Sequence, residues 1–180
     1  MRLGKTTVGV AGLLVCLIAG VSVAMGQGST TPAGGKIQLF VQPGNGQGEG
    51  KILLTGAVGD YGSSSKEKKI GRKEIGTAHL RKGTIEFDLT AISAKVKKAP
   101  GAVFDVATCS FYISETAPGS IVSGTGAYAG IHGPIRITES FGGISALYKT
   151  GPKKGQCNGS NNAATVASMG FVYGSGRVSF

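Results

Sequence analysis

Apolar and polar residues alternate with a period of two in several short runs of this chain, and most runs end at glycine. The clearest run spans residues 84–96. Ile85, Phe87, Leu89 and Ala91 fall on one face, and Glu86, Asp88 and Thr90 on the other. Period two predicts a half-buried strand. Residues 135–141 alternate in the same way, with Ile135 and Ile137 opposite Arg136 and Thr138. Further strand signals lie at residues 36–42, 50–58, 76–80, 102–115 (bending midway), 121–123, 128–131 and 166–180. Pro43-Gly44-Asn45-Gly46 and Arg81-Lys82-Gly83 read as turns, residues 60–69 as an exposed loop, and residues 150–163 as a turn-rich loop. Residues 142–147 fit no pattern well. No segment beyond residue 26 holds a helical period over the roughly 11 residues that identify an amphipathic helix. About eight strands in one antiparallel sheet are expected to close or fold over, because free edges invite aggregation. A final strand that pairs with an earlier one would close a barrel.

The N-terminus follows a different rule. Arg2 and Lys5 precede an apolar stretch at residues 8–17, and the small residues Ala19, Gly20, Ser22, Ala24 and Gly26 follow. This is the pattern of an export signal cleaved near Ala24 or Gly26. The alternative is an uncleaved anchor helix, since residues 8–25 are just long enough to span a bilayer. Cys16 lacks the small preceding residue of a lipoprotein signal, because Val15 stands there. Residues 27–35 have the composition of a flexible linker. Residues 36–180 remain as one domain, long enough for a real core.

Composition sharpens this picture. Glycine supplies 32 of 180 residues without a Gly-X-Y period, which excludes collagen and suits the turns and bulges of a β-protein. A hydrophobic share of 41% argues against disorder. Cleavage of the signal would remove Arg2 and Lys5 and lower the formal charge from +10 to +8. It would leave two cysteines, Cys109 and Cys157, which an oxidising compartment is expected to join. The alternative is one reactive thiol and one buried one.

Residues 124–133, GTGAYAGIHG, fit a dinucleotide-binding glycine pattern on paper. Such a site needs a helix directly after the motif. Here Gly133-Pro134 and a strand-like run follow, so the segment reads as a tight turn with a bulge, Tyr128 packing on the sheet. The turn residues are Gly124, Thr125, Gly126, Tyr128, Gly130 and Gly133, and the bend is expected near the disulfide. This segment and its Ile-x-Ile sequel resemble the Gly-Thr-Gly-x-aromatic stretch of the allene oxide cyclase and dirigent barrel superfamily. The nearer resemblance is to small secreted actinobacterial proteins of unknown function, through Cys109, Gly155-Gln156-Cys157-Asn158 and the terminal Gly174-Ser-Gly176-Arg-Val178-Ser-Phe180. It covers about residues 36–180. It implies an antiparallel eight-stranded, calycin-like β-barrel, often trimeric in the plant relatives. No catalytic position of the cyclases or dirigent proteins matches a residue here.

The candidate chemistry is sparse. His79 and His132 read as surface or turn residues, and no Cys/His cluster has metal spacing. No serine sits in a nucleophile motif. Glu86 and Asp88 could do acid–base work if they faced a lumen, but a solvated strand face is the plainer reading. No catalytic, cofactor-binding or metal-binding residue is assigned. Basic residues cluster at Lys66, Lys68, Lys69, Arg72 and Lys73, and again at Lys95, Lys97 and Lys98. They read as solvated loops or as an attraction to an anionic envelope surface. Nucleic acid is not an expected partner, since no aromatic residue interleaves with the lysines and the chain carries an export signal. The expectation is a secreted, non-enzymatic barrel that binds a small apolar ligand or associates with the cell envelope. A cyclase- or isomerase-type enzyme with an apolar lumen is one alternative, and a structural module without ligand, as a homo-oligomer, is another.

Overall fold

The computed structural model describes residues 34–44, 49–65, 67–99, 103–160 and 163–180. The expected signal and nearly all of the expected linker lie outside these residues. The exceptions are Gly34 and Gly35, the second of which already belongs to the first strand.

Among the described residues, ten strands, one α-helix and one 3₁₀ turn follow in order. The strands are β1 (Gly35–Gln42), β2 (Gly50–Gly56), β3 (Asp60–Ser64), β4 (Lys68–Ile70), β5 (Lys73–Leu80), β6 (Gly83–Asp88), β7 (Val103–Asp105), β8 (Ser110–Gly124), β9 (Gly133–Ser145) and β10 (Thr165–Val178). Helix α1 (Thr90–Lys98) lies between β6 and β7, and the 3₁₀ turn Gly126–Tyr128 lies between β8 and β9. Eight strands close into an antiparallel barrel in the order β1-β2-β3-β5-β6-β8-β9-β10, and β10 returns to β1. Each barrel strand therefore pairs with its neighbours along the chain, as in an up-and-down barrel. Strands β4 and β7 are short flaps on β5 and β8.

Alternation dictates the interior. Ile37 and Leu39 of β1, Ile52 and Leu54 of β2, Ile85 and Phe87 of β6, and Ile135 and Ile137 of β9 all point inward and are buried. Glycine at inward positions of β8 and β10 makes room for them. A Cβ at Gly119 would lie 2.6 Å from Ile137 Cδ1, and one at Gly174 would press on Leu39. Large side chains from one strand thus fill space left by small ones on the next, which is how a narrow barrel packs solid.

Three expectations need correction. The alternation over residues 84–96 stops at Asp88, and a helix follows. Asp88 Oδ1 accepts hydrogen bonds from the Thr90 backbone N–H (3.1 Å) and hydroxyl (2.6 Å), which turns the chain out of the sheet. From Leu89 the apolar spacing becomes 89, 92, 96, a helical stripe, with Ile92 and Ser93 buried and Ala91 exposed. Lys95, Lys97 and Lys98 occupy its last turn, where the helix dipole favours cations. Second, residues 60–64 of the expected exposed loop form β3, and Asp60 is among the most buried residues in the chain. Third, the glycine-rich bend does not sit near the disulfide. Cys109 precedes β8 and Gly124 ends it, so 15 strand residues separate the two, or about 45 Å of extended chain.

Cys109 and Cys157 do form a disulfide. It ties the turn before β8 to the loop after β9, where Leu147 also bridges to Cys157. Their sequence separation of 48 sets the expected effect. Replacing both by serine should lower unfolding free energy by about 4 kcal/mol in the chain-entropy account. Urea denaturation of the double variant, with the midpoint compared to that of the oxidised parent, checks this.

Candidate functional site

The two ends of the barrel differ. At one end β1, β6 and β9 begin and β2, β8 and β10 finish, and this end is sealed. The seal is built on Asp60. Its side chain is wholly buried, and its two oxygens accept four hydrogen bonds: from the Tyr61 backbone N–H (2.8 Å), Arg81 Nε (2.9 Å), the Lys82 backbone N–H (3.2 Å) and the Tyr128 hydroxyl (2.6 Å). These donors outweigh the burial that opposes ionisation, and hold the Asp60 carboxyl at a pKa of about 2. Burial together with the bond to this carboxylate drives the Tyr128 phenol the other way, beyond the usual tyrosine range. Arg81 also lies over the Tyr61 ring, 4.2 Å from its centroid.

The glycine-rich segment exists to make that contact. Thr125 Oγ1 accepts a hydrogen bond from the Thr84 backbone N–H (3.1 Å) and shares another with the Thr84 hydroxyl (2.8 Å). Gly126 has φ +61°, and a Cβ there would strike the Lys82 carbonyl; a Cβ at Gly83 would strike the Thr125 carbonyl. Two turns stack at backbone distance, and only glycine permits it. The 3₁₀ turn then drops Tyr128 into the core beside Ile131, both about 1% exposed. Gly124, Gly130 and Gly133 complete the bend, the last two with positive φ. Tyr128 therefore plugs the barrel end and does not lie across the sheet as expected from sequence. Nothing in the sequence near Asp60 signals its role, because its partners other than the adjacent Tyr61 N–H are 21 to 68 residues away.

At the other end the barrel is open. A cup of about 240 Å³ is lined by the inward side chains Leu39, Val41, Ile52 and Val172, with Leu89 above them. Glu67 and Glu139 stand at its rim. Glu139 has no hydrogen-bond or ion-pair partner among the described residues. Burial, and then the charge of Glu67, push its carboxyl above the ordinary value of 4.5. Burial likewise raises Glu67, opposed by a hydrogen bond from the Ser93 hydroxyl (3.1 Å) and reinforced by Glu74. Glu115, the cross-strand neighbour of Glu139, is instead paired with Lys95 of α1 at 3.1 Å. An apolar cup with two reluctant carboxylates can hold a small molecule, and it can exchange a proton with one.

The basic residues singled out from sequence gather around this open end. Lys68 and Lys69 lie on β4, Arg72 in the turn to β5, Lys73 at the start of β5, and Lys95, Lys97 and Lys98 on α1. Lys66 lies outside the described residues. Three of the group meet carboxylates: Lys73 with Asp88 (3.4 Å), Lys95 with Glu115, and Lys97 with Glu74. Glu86 and Asp88 face outward, Glu86 accepting a hydrogen bond from the Ser123 hydroxyl (2.6 Å) and Asp88 accepting from the Thr90 N–H and hydroxyl. Neither lines the cup. His79 lies on β5 and His132 in an isolated bridge just before β9, and both are exposed. Among the described residues no cluster of His, Cys, Asp or Glu could hold a metal ion, and no helix is long and apolar enough to cross a membrane. No protein-family model, curated protein or solved structure matches the chain.

Two predictions follow from the two ends. Tyr128→Phe removes one donor from a buried charge and should cost about 2 kcal/mol. Asp60 is held below its unfolded value, so its contribution is present above pH 3.8 and is lost as pH falls toward 2. The cost of Tyr128→Phe should therefore shrink over that window, as read by chemical denaturation at pH 7, 3.5 and 2. Glu139 has the opposite sign. Its folded pKa is raised, so ionisation at neutral pH opposes folding, and the penalty disappears as pH falls below 4.5. Glu139→Gln should raise the melting temperature at pH 7 and leave it unchanged at pH 4, in paired calorimetric scans.

Proposed function

We propose that this chain is an exported, non-enzymatic barrel protein that holds a small, mostly apolar ligand in the open end of its lumen. The observation that carries this reading is the asymmetry of the interior. One half is packed solid around Tyr128, while the other ends in a cup with walls of Leu39, Val41, Ile52 and Val172. A structural module without ligand would gain stability by filling that space. The disulfide agrees with an oxidising compartment, and the N-terminal pattern of Arg2, Lys5 and an apolar run supplies the route there. Kinship with the allene oxide cyclase and dirigent barrels is part of this reading, supported by the up-and-down closure and by the glycine-rich segment.

A second reading is favoured by one observation. Glu139 is a carboxyl at an apolar cup, raised by burial and without a partner among the described residues, which is how a general acid is made. A cyclase or isomerase working on a ligand in this cup would use it.

Both readings need the cup to admit a ligand. The neutral fluorophore N-phenyl-1-naphthylamine should bind saturably with a blue shift, and Val172→Trp, which fills the cup from β10, should abolish the signal while leaving the far-ultraviolet circular dichroism intact. Absence of saturable binding, or binding indifferent to Val172→Trp, would overturn the proposal. Binding that survives in Glu139→Gln supports a holding role. Native mass spectrometry of the exported protein reads out any retained ligand, signal cleavage and oligomeric state together.

A further inference from the structure

The outer wall of the barrel carries a feature unrelated to the cup. Strand β10 is flanked by β1 and β9, and its outward residues from Arg177 to Met169 form one line down the wall. At the sealed end this line is a shallow groove. Lys36 of β1 pairs in register with Arg177, and Gln38 and Arg136 flank Ser175. Glycine and serine keep the floor low. Lys36, Arg136 and Arg177 are exposed, and none lies within 4.0 Å of a carboxylate among the described residues. Two residues further along, the line becomes aromatic. Tyr173 packs against Phe40 with ring centroids 5.3 Å apart, Leu53 lies beside Phe40, and Phe171 follows, 52% exposed.

We propose that this strip binds an acidic polysaccharide, laid along β10 with its carboxylates or other anionic groups on Lys36, Arg136 and Arg177 and its sugar rings on Tyr173, Phe40 and Phe171. Three exposed cations with no carboxylate partner among the described residues favour an anionic occupant, and two of them are guanidinium groups suited to bidentate contact. Exposed ring faces beside them suit the C–H faces of pyranoses, whose partial positive charge meets the negative face of the aromatic ring. A groove takes a chain. A bilayer is met by protruding apolar groups, whereas the cationic half of this strip is a groove. A single-stranded nucleic acid shares the chemistry of anions and stacking, but a disulfide-bonded chain belongs outside the reducing compartments where nucleic acid resides.

Affinity electrophoresis and calorimetry with polygalacturonate test this, with neutral dextran as control. Polygalacturonate should bind and dextran should not. Arg136→Glu/Arg177→Glu should weaken binding about tenfold or more, by reversing two contact charges. Lys68→Glu/Lys69→Glu, with the same change in net charge at the other end of the barrel, should leave it within about twofold. Phe40→Ala/Tyr173→Ala should weaken binding without changing its salt dependence. Equal losses in both charge-reversal variants, or none in the groove variant, would overturn the proposal. So would tighter binding to phosphatidylglycerol vesicles or to oligo-dT than to polygalacturonate. Each readout is independent of the fluorophore that probes the lumen.

Discussion

The pairing of the last strand with the first is the constraint on which the rest of the molecule depends. Seven consecutive register pairs join β1 to β10, from Gly35 with Val178 to Val41 with Val172. Without them both strands would be open edges, and the sheet would have no inside. With them, period-two alternation becomes a radial division, in which Ile37 and Leu39 face a core and Lys36, Gln38 and Phe40 face out. The inward glycines of β10 let the ring close tightly, because Leu39 and Ile135 occupy the space their side chains would have taken.

Closure leaves two ends, and different physics governs each. At one end a buried carboxylate gathers four donors from three separate segments, so the seal is polar and specific in geometry. Such a network is stable only when complete, which couples the β2–β3, β5–β6 and β8–β9 connections to one another. At the other end α1 covers part of the mouth through Leu89, Ile92 and Val96, and the Lys95–Glu115 pair fastens it to β8. The rest of that mouth is left as an apolar cup with Glu139 at its rim. The disulfide ties the loop after β9 to the turn before β8 on this same side.

The outer wall is also uneven. Ion pairs hold Lys73, Lys95 and Lys97 around the mouth, whereas the cations flanking β10 at the sealed end have no carboxylate within 4.0 Å among the described residues. Local charge balance, and not the number of lysines in a stretch of sequence, therefore decides where the basic character of this protein is available to a partner.

Much of the fold was legible in residue order. Alternation at Ile85–Phe87 and Ile135–Ile137, glycine punctuation and a pair of cysteines, Cys109 and Cys157, reveal an all-β barrel with one disulfide, because these signals are local or compositional. The glycine-rich segment was legible as a turn between strands, since Gly133-Pro134 forbids a helix. Helix α1 was harder, because it is only nine residues long and its stripe at 89, 92 and 96 continues in phase with a strand. What the tertiary structure alone decided is which polar residues meet. Asp60 reads as part of a loop until Tyr128, 68 residues later, reaches it. Glu139 reads as one more strand residue until the ring places it at a cup, and Arg136 and Arg177 share a groove only because β9 and β10 pair. Period and composition act over a few residues; the energy of a buried charge or of a cluster of like charges depends on neighbours that only closure of the chain brings together.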